Sequence, residues 1–88
     1  IMIIEFEEKL LEVIDARIEN ASDDELFAGG YLRGHISLSV ASCEEDGIED
    51  VAEVKLRIEK SLEDARSELT PADRTIVNDL WVELQSQA

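Results

Sequence analysis

The sequence has few of the residues that catalyse reactions, bind metals or cross-link a chain. Its 88 residues include one cysteine, one histidine and one proline, and aromatic residues make up only 5%. A single cysteine, Cys43, cannot form an internal disulfide bond, so a reducing compartment is expected. With one histidine and no Glu-x-x-His motif, the chain cannot build the di-iron site found in some helical bundles.

Basic residues are also scarce. Eight lysines and arginines stand against 22 aspartates and glutamates, which gives a formal net charge of −14. Proteins that bind nucleic acids or anionic membranes use basic side chains to displace counterions from phosphates. The composition therefore predicts no nucleic-acid or membrane partner, and it favours solubility and basic protein partners.

The chain lacks the patterns of targeting and membrane segments. Its first residues turn acidic after four apolar positions and have no basic region of the kind that opens a signal peptide. The least charged stretch, residues 26–43, is too short and too polar for a membrane span because Arg33 and His35 lie within it. A cytoplasmic location is the resulting expectation.

No motif of a known catalytic or cofactor site is present. The spacing of Gly29, Gly30 and Gly34 matches neither a dinucleotide-binding loop nor a phosphate loop. The acidic runs at 23–25 and 44–46 lack the alternating oxygen ligands of a calcium loop. The sequence therefore predicts a protein that is not an enzyme, with no cofactor, no metal site and no catalytic residue.

Apolar residues recur at helical spacing through most of the chain. Four helical segments are predicted, at residues 3–20, 23–44, 48–68 and 71–86. The short connections between them favour an all-α, small antiparallel four-helix bundle formed by a single domain, residues 1–88. Off the apolar stripe of the third helix, Leu56 is expected to be exposed.

Local capping patterns define two helix starts. Ser22 followed three residues later by Glu25 is a capping box, and Thr70 followed by Pro71 is a typical cap and first helical residue.

In the second helix, Gly29 and Gly30 leave two alternatives open. The helix is either broken there or keeps these glycines for close contact, because each mid-helix glycine costs roughly 1 kcal/mol relative to alanine.

The second helix is apolar on nearly all sides, which predicts a buried central helix. On a helical wheel its small residues align in a groove that a neighbouring helix could approach closely. These residues are Gly30, Gly34, Ser37 and Ala41.

Residues 21–35, ASDDELFAGGYLRGH, resemble the characteristic segment of the YfcL-like family of small uncharacterised bacterial proteins. The resemblance extends to the N-terminal segment IIEFEEKLLEVID and to the capped C-terminal helix from Thr70 to Trp81. The region of about 44–68 is similar mainly in length and character. The resemblance implies a bacterial, cytoplasmic helical domain, and it implies no activity, cofactor or catalytic residue.

Four residues are candidates for an interaction or ligand site: Tyr31, Arg33, His35 and Trp81. Arg33 either pairs with one of the many internal carboxylates or binds an anionic ligand or a partner's carboxylate. For His35 the alternatives are a hydrogen bond to a carbonyl or hydroxyl and a role as metal ligand or general base. Trp81 is either a core anchor or, with Tyr31, part of a contact surface.

Taken together, these observations favour a non-catalytic protein–protein interaction module. Its partner is a protein of unknown identity, which is expected to be basic, or a second copy of the chain in a homodimer. The alternative is a small-molecule or metal-binding site around Arg33 and His35. Nucleic-acid mimicry is a third hypothesis, which the basic residues Lys55, Arg57 and Lys60 disfavour because they interrupt the negative field.

Overall fold

The computed structural model describes residues 2–88 and contains four α-helices. They are α1 (Ile3–Ala16), α2 (Asp23–Glu45), α3 (Val51–Asp64) and α4 (Pro71–Gln87). Short 3-10 helices at Ile18–Asn20 and Arg66–Glu68 follow α1 and α3. No strand occurs in the described part of the chain. The predicted all-α helical bundle is confirmed.

The helix starts that carry capping motifs lie where the sequence predicts them. At the start of α2, the Ser22 hydroxyl accepts the backbone N–H of Glu25, and the Glu25 carboxylate accepts the backbone N–H of Ser22. At the start of α4, the Thr70 hydroxyl accepts the backbone N–H of Asp73 at 3.1 Å. Each cap satisfies backbone donors that have no partner within the helix.

Three helix boundaries differ from the prediction. The third helix begins at Val51 instead of residue 48, because the Asp50 carboxylate caps it by accepting the backbone N–H of Ala52. The first and third helices were predicted to end at residues 20 and 68, whereas α1 ends at Ala16 and α3 ends at Asp64. In both cases the chain tightens into a 3-10 turn before the next connection. Such turns are frequent at helix ends, and they keep a spacing of apolar residues close to that of an α-helix, so periodicity alone does not mark the change.

The core contains side chains from all four α-helices. Its buried apolar residues are Ile3, Phe6, Leu10, Ile14, Ala28, Leu32, Ile36, Val40, Cys43, Val54, Ile58, Val77, Trp81 and Leu84. They recur at spacings of three and four along each helix, as expected for one face of each helix packed inward. Burial of these faces is the main favourable term in the folding of a domain of this size.

Helix α2 packs against α1, α3 and α4 and is the central element of the bundle. It continues through Gly29 and Gly30 without a break. An alanine Cβ at Gly29 would lie 3.2 Å from Cγ2 of Ile14, so the close helix contact of this region is made at Gly29. Of the two alternatives for this region, the continuous helix is the one observed.

The predicted groove of small residues does not receive a neighbouring helix. Gly30, Gly34 and Ala41 are exposed and Ser37 is half-buried. A Cβ placed at Gly30 or Gly34 would meet no atom within 4 Å apart from the adjacent backbone of α2. The prediction that α2 is buried on nearly all sides is therefore wrong. Three helices pack against one side of α2, and the opposite side faces outward.

Candidate functional site

Aromatic rings of α2 form a row that runs from the exposed Phe27 to His35, which contacts α3. The rings of Phe27 and Tyr31 have centroids 5.9 Å apart, and those of Tyr31 and His35 are 4.6 Å apart. The row follows from sequence spacing, because residues four apart lie one above the other on a helix. Two of the four candidate residues, Tyr31 and His35, are thus in direct contact.

Tyr31 and Trp81 line one cavity, which we call the α3–α4 cavity. It has a volume of about 510 Å³. Its apolar lining includes Leu62, Leu69 and Val77, and these side chains come from α3, the segment before α4, and α4 itself. A volume of this order lies in the range typical of small-molecule sites. The structure therefore brings these two candidates together at a concave surface.

The polar atoms of the two aromatic residues differ in how they are satisfied. Trp81 is 4% exposed, and its indole N–H donates to Oε2 of Glu59 at 3.2 Å. The hydroxyl of Tyr31 is buried, and no group among the described residues lies in full hydrogen-bond geometry with it. Burial, together with the nearby negative charge of Glu68, raises the pKa of Tyr31, which keeps the phenol protonated.

Arg74 also lines this cavity, although it was not among the sequence candidates. One of its guanidinium N–H groups donates to the backbone carbonyl of Arg66 at 3.1 Å. No carboxylate of residues 2–88 pairs with Arg74, whereas the neighbouring Arg66 pairs with Glu63 at 3.5 Å. A local signal was available in the sequence, since the positions three and four residues from Arg74 carry no acidic side chain.

Arg33 lies elsewhere. Its guanidinium pairs with the Asp15 carboxylate at 3.4 Å, and the two side chains are 45% and 49% exposed. This is the internal pairing that the abundance of acidic residues favours, and an exposed pair of this kind contributes at most about 1 kcal/mol. Arg33 also lines a smaller cavity of about 160 Å³ together with Ile18, Leu26 and Gly30.

His35 is half-buried, and its Nδ1 contacts Oγ of Ser61 on α3. This contact is the hydrogen bond to a hydroxyl that was one of the two alternatives for His35. Arg33 therefore pairs with α1, while His35 pairs with α3. Among residues 2–88, no three His, Cys, Asp or Glu side chains come together as a metal site would require.

The outward side of α2 is a further candidate surface. We define the outer face of α2 as Leu26, Phe27, Gly30, Gly34, Leu38 and Ala41. All six residues are exposed, and Leu26, Phe27 and Leu38 retain 45%, 39% and 74% of their accessible surface. None of the six carries a charge. The face therefore presents small and apolar residues over about four turns of helix.

The thiol of Cys43 is fully buried in the core. Burial raises its pKa, and a positive charge on Arg57 opposes this only in part. A protonated, enclosed thiol is a poor nucleophile.

No helix among the described residues is long and apolar enough to cross a membrane.

Comparison with known proteins assigns the family. The family model described as YfcL protein matches residues 4–86. The uncharacterised protein YfcL of Escherichia coli (strain K12) is 45% identical over 89 residues, an alignment that covers 99% of this chain and 97% of that protein. No solved structure matches the chain. The match to the family model spans nearly the whole chain, and the chain belongs to the YfcL protein family.

Proposed function

We propose that the protein is a non-enzymatic interaction module that binds a basic amphipathic helix along the outer face of α2. The observation that carries this proposal is the exposure of six uncharged, apolar or small residues in a chain whose composition is 34% charged. An amphipathic partner helix binds by laying its apolar face against an apolar surface of this kind. Arg33 and His35 give less support to the alternative ligand site because they pair with different helices.

The composition of the outer face disfavours a purely structural role. Leu38 keeps 74% of its surface, so it adds little to the folding of the chain by itself. Gly30 and Gly34 each cost roughly 1 kcal/mol in a helix interior, yet no neighbour within the bundle needs their lack of a side chain. Small residues allow the backbone of a second helix to approach closely, and this would offset their cost in a complex.

Charge distinguishes between two occupants of the face. Acidic residues lie at both ends of α2, with Asp23 and Asp24 in the first turn and Glu44 and Glu45 at the end. In a homodimer, the acidic ends of α2 in one copy would face the acidic ends of α2 in the other, whether the two helices run parallel or antiparallel. Each copy also carries a net charge of −14. Like charges opposed across an interface weaken association. A basic helix has the complementary charge, so it is the occupant we favour over a homodimer.

The last turn of α2 strengthens this preference. It has two carboxylates and no basic residue. The C-terminal end of a helix already carries a partial negative charge, so the two effects add. Lysine or arginine residues of a partner helix would be attracted to this end.

A cytoplasmic location, expected from the lone cysteine, remains a prediction.

The test uses a synthetic helical peptide of leucine and lysine with its leucines on one face. Two control peptides have the same composition in scrambled order and glutamate in place of lysine. We expect the amphipathic basic peptide to shift the backbone amide NMR signals of residues 26–41 most strongly. The scrambled peptide should bind more weakly, because it has the charge without the apolar face.

A pair of variants separates apolar contact from simple charge attraction. Leu38→Asp adds a negative charge within the outer face, and Leu56→Asp adds the same charge at a leucine of α3 that is 62% exposed. General attraction to a basic peptide would become stronger in both variants. The proposal predicts at least tenfold weaker binding for Leu38→Asp, since burying a leucine contributes about 1.5–3 kcal/mol. It predicts no loss for Leu56→Asp.

Two results would count against the proposal. Equal binding of the ordered and scrambled peptides, with shifts spread over the whole acidic surface, would leave no role for the outer face. A stable dimer in light scattering that Leu38→Asp dissociates would identify a second copy as the occupant and overturn the choice of a basic helix.

A further inference from the structure

The α3–α4 cavity contains hydrogen-bond donors in excess of what the protein itself satisfies. Of its two carboxylates, Glu59 accepts the Trp81 indole N–H, and Glu63 pairs with Arg66. Arg74, by contrast, uses its guanidinium on a single backbone carbonyl. An arginine has five N–H donors in a planar fork, so most of the donors of Arg74 remain for another group.

Tyr31 is a second donor of the cavity, and its hydrogen bonding is incomplete. Its hydroxyl is buried at the wall of the cavity, where an unmade hydrogen bond is unfavourable. The Glu68 carboxylate acts on the phenol through its charge and as a nearby hydrogen-bond acceptor, although the two groups fall short of full hydrogen-bond geometry. The cavity thus combines a protonated phenol, an arginine without a carboxylate and an apolar lining.

We propose that the α3–α4 cavity binds a small organic acid, with the carboxylate on Arg74 and a flat apolar body against the half-buried Leu62 and Leu69. A carboxylate matches the fork of a guanidinium and accepts two N–H groups at once. Leu62 and Leu69 are the partly exposed apolar residues of the cavity and would cover one side of the ligand body.

This site is separate from the outer face of α2, so the two proposals stand or fall independently. The cavity is lined by α3, α4, the segment between them, and Tyr31 of α2. None of the six residues that define the outer face lines it.

Trp81 is the only tryptophan of the chain and lies in the cavity wall, so its fluorescence reports on occupancy. The probes are benzoate, phenylacetate and phenylpropionate, each compared with its neutral amide and with the corresponding amine. We expect at least one acid to give a saturable change in fluorescence, with its amide at least tenfold weaker. The amines should not bind more tightly than the acids.

Variants assign the charged contact. Arg74→Gln should weaken binding of the acid about tenfold, the loss expected for one charge-assisted contact of about 1.4 kcal/mol. Lys9→Gln is the matched control, because it changes the net charge equally on an exposed residue of α1 that does not line the cavity. Tyr31→Phe should leave the fold intact and weaken only acids that present a second acceptor to the hydroxyl.

The outcome does not depend on how well Arg74→Gln folds. Backbone amide NMR of the unaltered protein, titrated with the best acid and with its amide, should show shifts concentrated around the cavity for the acid alone. Equal affinities of acid and amide, equal effects of Arg74→Gln and Lys9→Gln, or absence of saturable binding by all three acids at millimolar concentration would each overturn the proposal.

Discussion

Alanine substitution at Gly30 and Gly34 should make the protein more stable and its outer face less able to bind. Both glycines lie within α2, both are exposed, and an added Cβ would meet no atom within 4 Å apart from the adjacent backbone of α2. Alanine is favoured over glycine by about 0.8–1.0 kcal/mol per residue in a helix interior. With no clash to offset this gain, the double variant should gain about 1.5–2 kcal/mol in free energy of unfolding.

A gain of that size is easily measured in a chain of 88 residues. Each kcal/mol raises the midpoint of thermal unfolding by roughly 4–8 °C in a domain of this length. Urea unfolding followed by circular dichroism and by Trp81 fluorescence gives the free energy, and agreement of the two transitions checks two-state behaviour. Gly29→Ala is the internal comparison. Its Cβ would lie 3.2 Å from Cγ2 of the buried Ile14, so its gain should be smaller than that of Gly30→Ala.

Binding is measured on the same proteins with the basic amphipathic peptide. The two added methyl groups would hold a partner helix away from the α2 backbone, so the double variant should bind more weakly despite its greater stability. A double variant that is no more stable than the unaltered protein would refute the description of these sites as open. A double variant that is more stable but binds the peptide equally well would refute the idea that the glycines let a partner helix approach the α2 backbone.

Three further predictions concern the fold. Because burial raises the pKa of Cys43, its thiol should react with an aromatic disulfide reagent at least tenfold more slowly in the native protein than in denaturant, as followed by absorbance. The capping hydrogen bonds lower the pKa of Glu25 below its ordinary 4.5, so its stabilising contribution is present above about pH 4.5 and is lost as pH falls through the lower folded pKa. The difference in unfolding midpoint between the unaltered protein and Glu25→Gln should shrink over that interval, and a constant difference would contradict the assignment. Ile58→Ala should cost about 2–5 kcal/mol in urea unfolding, whereas Leu56→Ala on the exposed side of the same helix should change stability by no more than about 0.5 kcal/mol.

The parts of the fold that depend on local chemistry were predictable from the sequence. The starts of α2 and α4 are set by side chains that bond to the backbone three residues away, at Ser22 with Glu25 and at Thr70 with Asp73. The exposure of Leu56 followed from its place off the apolar stripe and is confirmed. All these features are contained within a few consecutive residues.

Features that depend on several helices were not predictable in the same way. The pattern of α2 shows apolar residues on nearly all sides, and it cannot tell which side three other helices will cover. Twenty-two acidic residues were available to Arg33, and the choice of Asp15 is set by the packing of α1 on α2. The cavity around Arg74 depends on how α3 and α4 meet Tyr31, which no single segment encodes.

The apolar residues of α2 therefore divide into two sets with different consequences. Leu32, Ile36 and Val40 are almost completely buried and contribute to the core, so their loss reduces stability. Leu38 and Gly34 lie on the opposite side, where folding gains little from them. A substitution such as Leu38→Asp should thus leave the unfolding transition nearly unchanged, because exposed sites away from caps and core change stability by at most about 0.5 kcal/mol. A loss of binding in a variant of unchanged stability could then be assigned to the outer face of α2 alone.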